Sequence, residues 1–113
     1  MPTKTVNKQS VPLKAKTKYE RSLVKEADHI VNSDRPDRYG PVEESFIKVA
    51  KMATLMMTPS QLACGYITPQ MVCIVLRAIK NVRDTYSPDN PDHLRDSCGY
   101  TELQDQLRQL GIE

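Results

Sequence analysis

The chain has 113 residues, a net charge of +2, 39 % apolar residues, five tyrosines, one phenylalanine and no tryptophan. That length supports one small domain and a single core, built mainly from Leu, Ile, Val, Met and Ala, which suits helices better than a β-sandwich. No apolar run approaches the roughly 20 residues needed to cross a bilayer, and the lysine-rich start has no hydrophobic segment after it, so a cytoplasmic protein is expected.

The first segment is basic. Residues 1–19 contain five lysines (Lys4, Lys8, Lys14, Lys16, Lys18) and no acid, leaving eleven Lys or Arg against fourteen Asp or Glu, about −3, in the rest. Lysines without interleaved aromatics make a solubilising arm more readily than a nucleic-acid contact, although nucleic acid is a conceivable partner. Residues 1–18 are assigned to a disordered basic arm and residues 19–113 to one all-α domain.

Four helical segments follow. Leu23, Val24, Ala27, Ile30 and Val31 make one apolar stripe over residues 20–32, closed by Arg35-Pro36 because the residue before proline is pushed out of the helical region. A second helix opens at Gly40-Pro41, with Glu43 and Glu44 near the positive end of its dipole and a stripe of Phe46, Val49, Ala50, Ala53, Met56 and Met57. Thr58-Pro59 and Thr68-Pro69 each read as a cap followed by a first-turn proline. The first starts a short turn that Gly65 interrupts. The second starts a helix over residues 69–84 that is apolar on most sides and forms the centre of the core.

After the turn-rich "TYSPDNPDH", a last helix runs from about Pro91 to Leu110, stopped by Gly111, with Leu94, Cys98, Leu103, Leu107 and Leu110 as its buried side. The expected fold is all-α and four-helix bundle-like. Met56, Met57, Ile74 and Val75 exceed what a monomer needs, so a homo-oligomer burying part of the second or third long helix is expected. Cys64, Cys73 and Cys98 lack CxxC spacing and read as free thiols, and the four methionines from Met52 to Met71 read as packing.

Three polar clusters could carry chemistry. Arg35, Asp37, Arg38 and Tyr39 precede Glu43 and Glu44, Arg77 and Lys80 share one face of the most apolar helix, and Asp92 and Asp96 lie four apart on the last. In one reading these groups pair with each other, Arg77 or Lys80 bridging to Asp92, Asp96 or Glu44 as a structural network. In the other, Arg35, Arg38, Arg77 and Lys80 bind phosphate oxygens, while Glu44, Asp92 and Asp96 hold Mg²⁺. Tyr39 and Tyr100 would wall that pocket, Tyr100 either stacking on a base or packing between helices.

The stretches "EADHIVNSDRPDRYGPVEESFIKVAKMATLMM", "ITPQMVCIVLRAIKNVRDT" and "DHLRDSCGYTEL" resemble a phage- and prophage-encoded domain of unknown function. The resemblance rests on Arg35, Tyr39, Gly40 and Phe46, then Arg77 and Lys80, then Asp92, Asp96, Gly99 and Tyr100. That domain is similar to the all-α MazG-like nucleoside triphosphate pyrophosphohydrolases. The resemblance implies a MazG-like architecture and a phage-type nucleotide-binding protein in the host cytoplasm, either a Mg²⁺-dependent hydrolase or a non-catalytic descendant. An alternative is a non-enzymatic protein that sequesters a nucleotide signal or binds a host protein. The chain departs from the enzymes' paired E-x-x-E and E-x-x-D carboxylates. Glu43 and Glu44 are adjacent, about 100° apart around a helix, and the second pair is Asp92-x-x-x-Asp96. Binding therefore carries over better than hydrolysis.

Overall fold

The computed structural model describes residues 21–34 and 40–113. The basic arm and the expected site residues Arg35, Arg38 and Tyr39 lie outside them. Among the described residues the architecture is all-helical: α1 (Leu23–His29), running into a π-helical turn (Ile30–Asp34), α2 (Val42–Met56), α3 (Pro59–Ala63), α4 (Pro69–Tyr86) and α5 (Asp92–Gln109). None of these helices is long and apolar enough to cross a membrane.

The helix ends follow from their residues. Ser22 caps α1, its hydroxyl accepting from the Lys25 amide at 3.3 Å. Thr58 and Gln61 satisfy each other's amides at the start of α3, and Thr68 accepts from the Met71 amide at 3.2 Å at the start of α4. Each threonine is followed by a first-turn proline, which loses no helical hydrogen bond there. At the other end of the chain Gly111 adopts φ +74°. It donates to the Arg108 carbonyl at 3.0 Å while Ile112 donates to that of Leu107 at 2.9 Å, the paired bonds of a Schellman stop.

α4 is the central helix, packing on α2 on one side and on α5 on the other. Its inward residues Met71, Cys73, Ile74, Ala78 and Val82 are buried, and Ile74 and Ala78 meet Ala53 of α2, with Val49, Met52, Met56, Met57 and Val75 packed around them. Ala78 is 0 % exposed, so the backbones of α2 and α4 approach over a small side chain. Of the expected oligomer residues, Ile74 is 2 % exposed, and Met56, Met57 and Val75 are half-buried against this cluster.

Two expected faces are corrected. α2 turns Ser45, Val49, Met52, Ala53 and Met56 toward α4, which leaves Phe46 exposed, and Ala50 with it. On α5 the buried residues are His93 and Gln104, with Asp96, Ser97, Tyr100 and Leu107 half-buried between and beside them. Leu94, Cys98, Leu103 and Leu110 are exposed. The seam thus follows positions 93, 97, 100, 104 and 107, a regular helical spacing whose residues are mostly polar.

α1 does not join the bundle as a fourth core helix. None of its residues is buried, and Leu23 and Val24 stand 69 % and 78 % exposed. The architecture is an α2–α4–α5 packing unit with α1 apart.

Candidate functional site

The polar residues fall into three places, and the seam between α4 and α5 sorts two of them. These helices form an antiparallel hairpin, so residues early in α4 meet residues late in α5. Arg77 reaches across it and donates from Nη1 to Gln104 Oε1 at 2.8 Å. Gln104, buried, donates onward to Gln70 Oε1 at 3.4 Å, and that oxygen also accepts from Arg108 Nε at 3.0 Å. Gln70 in turn donates from Nε2 to the Ile112 carbonyl at 3.0 Å, and its amide donates to the Glu113 carbonyl at 3.1 Å. The relay ties the C-terminal residues to the start of α4.

A pocket of about 370 Å³ opens on this relay, lined by Arg77, Gln104, Arg108, Cys98, Thr101, Glu102 and Asp105. Arg77 and Arg108 have no carboxylate within ion-pair distance among the described residues. The two acids of the rim are held along their own helix, Glu102 accepting from Gln106 at 3.0 Å and Asp105 from Gln109 at 2.7 Å. Arg77 Nε is buried with no hydrogen-bond partner among the described residues. A buried cationic N–H without an acceptor is costly.

Lys80 and Asp96 form the second place, an ion pair at 2.9 Å across α4 and α5. This is the bridge of the structural reading, and Lys80 holds the Asp96 carboxyl below its ordinary range. Asp96, Gly99 and Tyr100 line a shallow opening of about 550 Å³ with Arg95 and Leu103, which does not include Arg77. Tyr100 is therefore grouped with Asp96 and not with the arginine pocket. Asp92 accepts from Arg95 at 2.5 Å, one turn away on the same helix.

The third place is where α2 begins beside the end of α4. The Tyr86 hydroxyl donates to Glu44 Oε1, Lys48 lies 3.7 Å from the same carboxylate, and its ammonium sits 4.7 Å from the Tyr86 ring centre. The Tyr86 hydrogen bond, then the Lys48 charge, lowers the Glu44 pKa from its ordinary value of 4.5. Buried Gly40 completes the cluster at φ +77°, where an added Cβ would lie 2.4 Å from the Tyr86 ring.

The single pocket expected from the sequence is thus divided. Glu44, Asp92 and Asp96 each have their own partner, and among the described residues no three of His, Cys, Asp and Glu gather into a group able to hold a metal ion. Of the expected phosphate-binding residues among those described, Arg77 alone lines the arginine pocket; Gln104 and Arg108 join it, and Gln70 joins the relay behind them, unannounced. The signal for them was the spacing 70, 77 on α4 and 104, 108 on α5, a polar stripe that leucine counting passes over.

No curated protein and no solved structure matches the chain. A family model described as a domain of unknown function, DUF6378, matches residues 22–108, from the Ser22 cap of α1 to the last turn of α5, and the chain belongs to that family.

Proposed function

We propose that this chain is a nucleotide-binding protein of the phage-type, MazG-like helical class, which captures its ligand without requiring turnover. The observation that carries the reading is the arginine pocket. Two guanidinium groups without acidic partners among the described residues, one with a buried unpartnered Nε, border a polar cavity large enough for a phosphorylated small molecule. Guanidinium forks match phosphate oxygens in shape and charge, and the rim acids Glu102 and Asp105 are acceptors suited to sugar hydroxyls or base amino groups. The chain's departure from paired E-x-x-E and E-x-x-D carboxylates favours binding over hydrolysis, and Glu44, Asp92 and Asp96 each have a partner within the chain.

The test is calorimetric titration and thermal shift with a panel of nucleoside mono-, di- and triphosphates, with and without Mg²⁺, together with an assay for released pyrophosphate. Binding in both conditions with no pyrophosphate release supports the proposal. Arg108→Ala removes an exposed arginine of the rim and should weaken binding by about 1.5–3 kcal/mol, roughly ten- to a hundredfold. No affinity for any nucleotide overturns the reading, and Mg²⁺-dependent pyrophosphate release replaces it with the enzymatic one.

A further inference from the structure

The arginine pocket gathers charges of both signs and pairs none of them. Arg77 and Arg108 line it together with Glu102 and Asp105, and among the described residues none of the four has an opposite charge within ion-pair distance. Arg77 donates to Gln104 and Arg108 to Gln70, while Glu102 accepts from Gln106 and Asp105 from Gln109. Every one of these partners is a neutral amide, so these contacts cancel none of the pocket's charges. Glu102, Asp105 and Arg108 are exposed, and Arg77 is half-buried.

The charges are also ordered. Glu102, Asp105 and Arg108 follow one another at spacings of three along α5, so they share a face with about 4.5 Å of helix rise between neighbours. Arg77 comes in from α4 and meets α5 at Gln104, between Glu102 and Arg108. A phosphate that bridges the two guanidiniums therefore lies beside Asp105, with Glu102 one turn further along. Beyond Arg108 the run is closed by Gln70 and the Ile112 carbonyl that it holds. A phosphate chain that grows in one direction meets carboxylates, and in the other it meets a carbonyl, an acceptor with nothing to offer an anion.

Resting on the nucleotide reading of this pocket, we propose that it selects nucleoside monophosphates and that Glu102 and Asp105 turn di- and triphosphates away. A phosphate monoester carries about two negative charges at neutral pH, which the two arginines match. Every further phosphate adds negative charge with no third arginine in the lining to meet it, and it approaches carboxylates that no cation shields. Like charges brought together are the repulsive element by which a site rejects the wrong ligand. The same two carboxylates serve the right one, as acceptors for the hydroxyls of its sugar. Repulsion across an exposed rim is screened within about 10 Å at about 0.1 M salt, so the preference weakens as ionic strength rises.

The experiment is calorimetric titration of the full chain in EDTA with the 5′-mono-, di- and triphosphates of adenosine, guanosine, cytidine and uridine. In the series bound most tightly, the monophosphate should bind roughly tenfold or more tightly than the triphosphate, with the diphosphate between them, and the gap should narrow in high salt. Glu102→Gln combined with Asp105→Asn keeps the side-chain shapes and the acceptors for Gln106 and Gln109. That double variant, with unchanged helical circular dichroism, should tighten triphosphate binding and cut the ratio by about threefold or more, the monophosphate moving less. Glu43→Gln on α2, which lines no part of the pocket, removes a negative charge elsewhere and should leave the ratio as it is. A triphosphate bound as tightly as the monophosphate, or a ratio that the double variant does not move, overturns the inference and leaves nucleotide binding standing. Absence of binding in all four series overturns the nucleotide reading and the inference with it.

Discussion

Gly40 shows how one residue ties a chain turn to a distant helix. Its φ of +77° lies where a Cβ costs about 1–2 kcal/mol, and the space a Cβ would take is occupied by the Tyr86 ring. Gly40→Ala should therefore lower stability by roughly 2–4 kcal/mol, strain and overpacking together. Truncating the ring as well, in Gly40→Ala with Tyr86→Ala, should relieve the clash but keep the strain, so denaturant titrations of the two singles and the double should be clearly non-additive. Additive losses would mean that the glycine and the ring do not meet.

Tyr86 also sets the titration of Glu44. A carboxylate whose folded pKa is depressed contributes stability that is present above its ordinary value, here 4.5, and is lost as pH falls through the lower folded value. Tyr86→Phe removes the hydrogen bond that is the first cause of the depression, and Lys48 stays. The Glu44 midpoint, followed by carboxyl NMR, should move upward toward 4.5 without passing it. An unmoved midpoint would show that Lys48 alone holds it down.

At the scale of helices, α4 is the element whose ends matter most, because it packs against both α2 and α5. Thr68→Ala removes its cap and should cost about 1 kcal/mol, a fall in melting temperature of roughly 4–8 °C. Thr58→Ala removes an equivalent cap from α3, a helix of five residues with none buried, and its effect on the global melt should be far smaller. Equal effects would show that α3 unfolds with the core.

The seam between α4 and α5 makes a related point. Gln104→Leu fits the buried volume but withdraws the acceptor from Arg77 Nη1, on a side chain whose Nε already lacks one. A loss of about 1–3 kcal/mol is expected in chemical denaturation. Saturating nucleotide should recover part of it if the ligand's phosphate reaches the same guanidinium, since a ligand that binds only the folded state stabilises it by mass action.

For the whole molecule, the six buried apolar residues among those described make a small core for one domain. If the homo-oligomer expected from the sequence forms, unfolding is coupled to dissociation and the melting temperature depends on protein concentration. Tenfold dilution should then lower it measurably, and a melting temperature independent of concentration would mean that the chain folds as a monomer.

Local chemistry made much of this legible without coordinates. The two Thr-Pro caps, the Gly111 stop, the opening of α2 at Gly40-Pro41 and the central place of α4 are each decided by residues adjacent in the chain, because capping and backbone sterics act over three or four positions. The all-helical class follows from the same periodicity. Which way each helix turns was decided only by packing. Phe46 stays exposed at the side of the α2–α4 contact, whose inner positions on α2 are Ser45, Val49 and Ala53. The α5 seam buries Gln104 in place of a leucine because Arg77 and Gln70 of α4 stand opposite and offer a buried amide its partners. The division of the charged residues into the Arg77–Gln104–Arg108 relay, the Lys80–Asp96 pair and the Glu44–Tyr86–Lys48 cluster has the same origin: sequence spacing places charges on a face, but the antiparallel register of two helices chooses their partners.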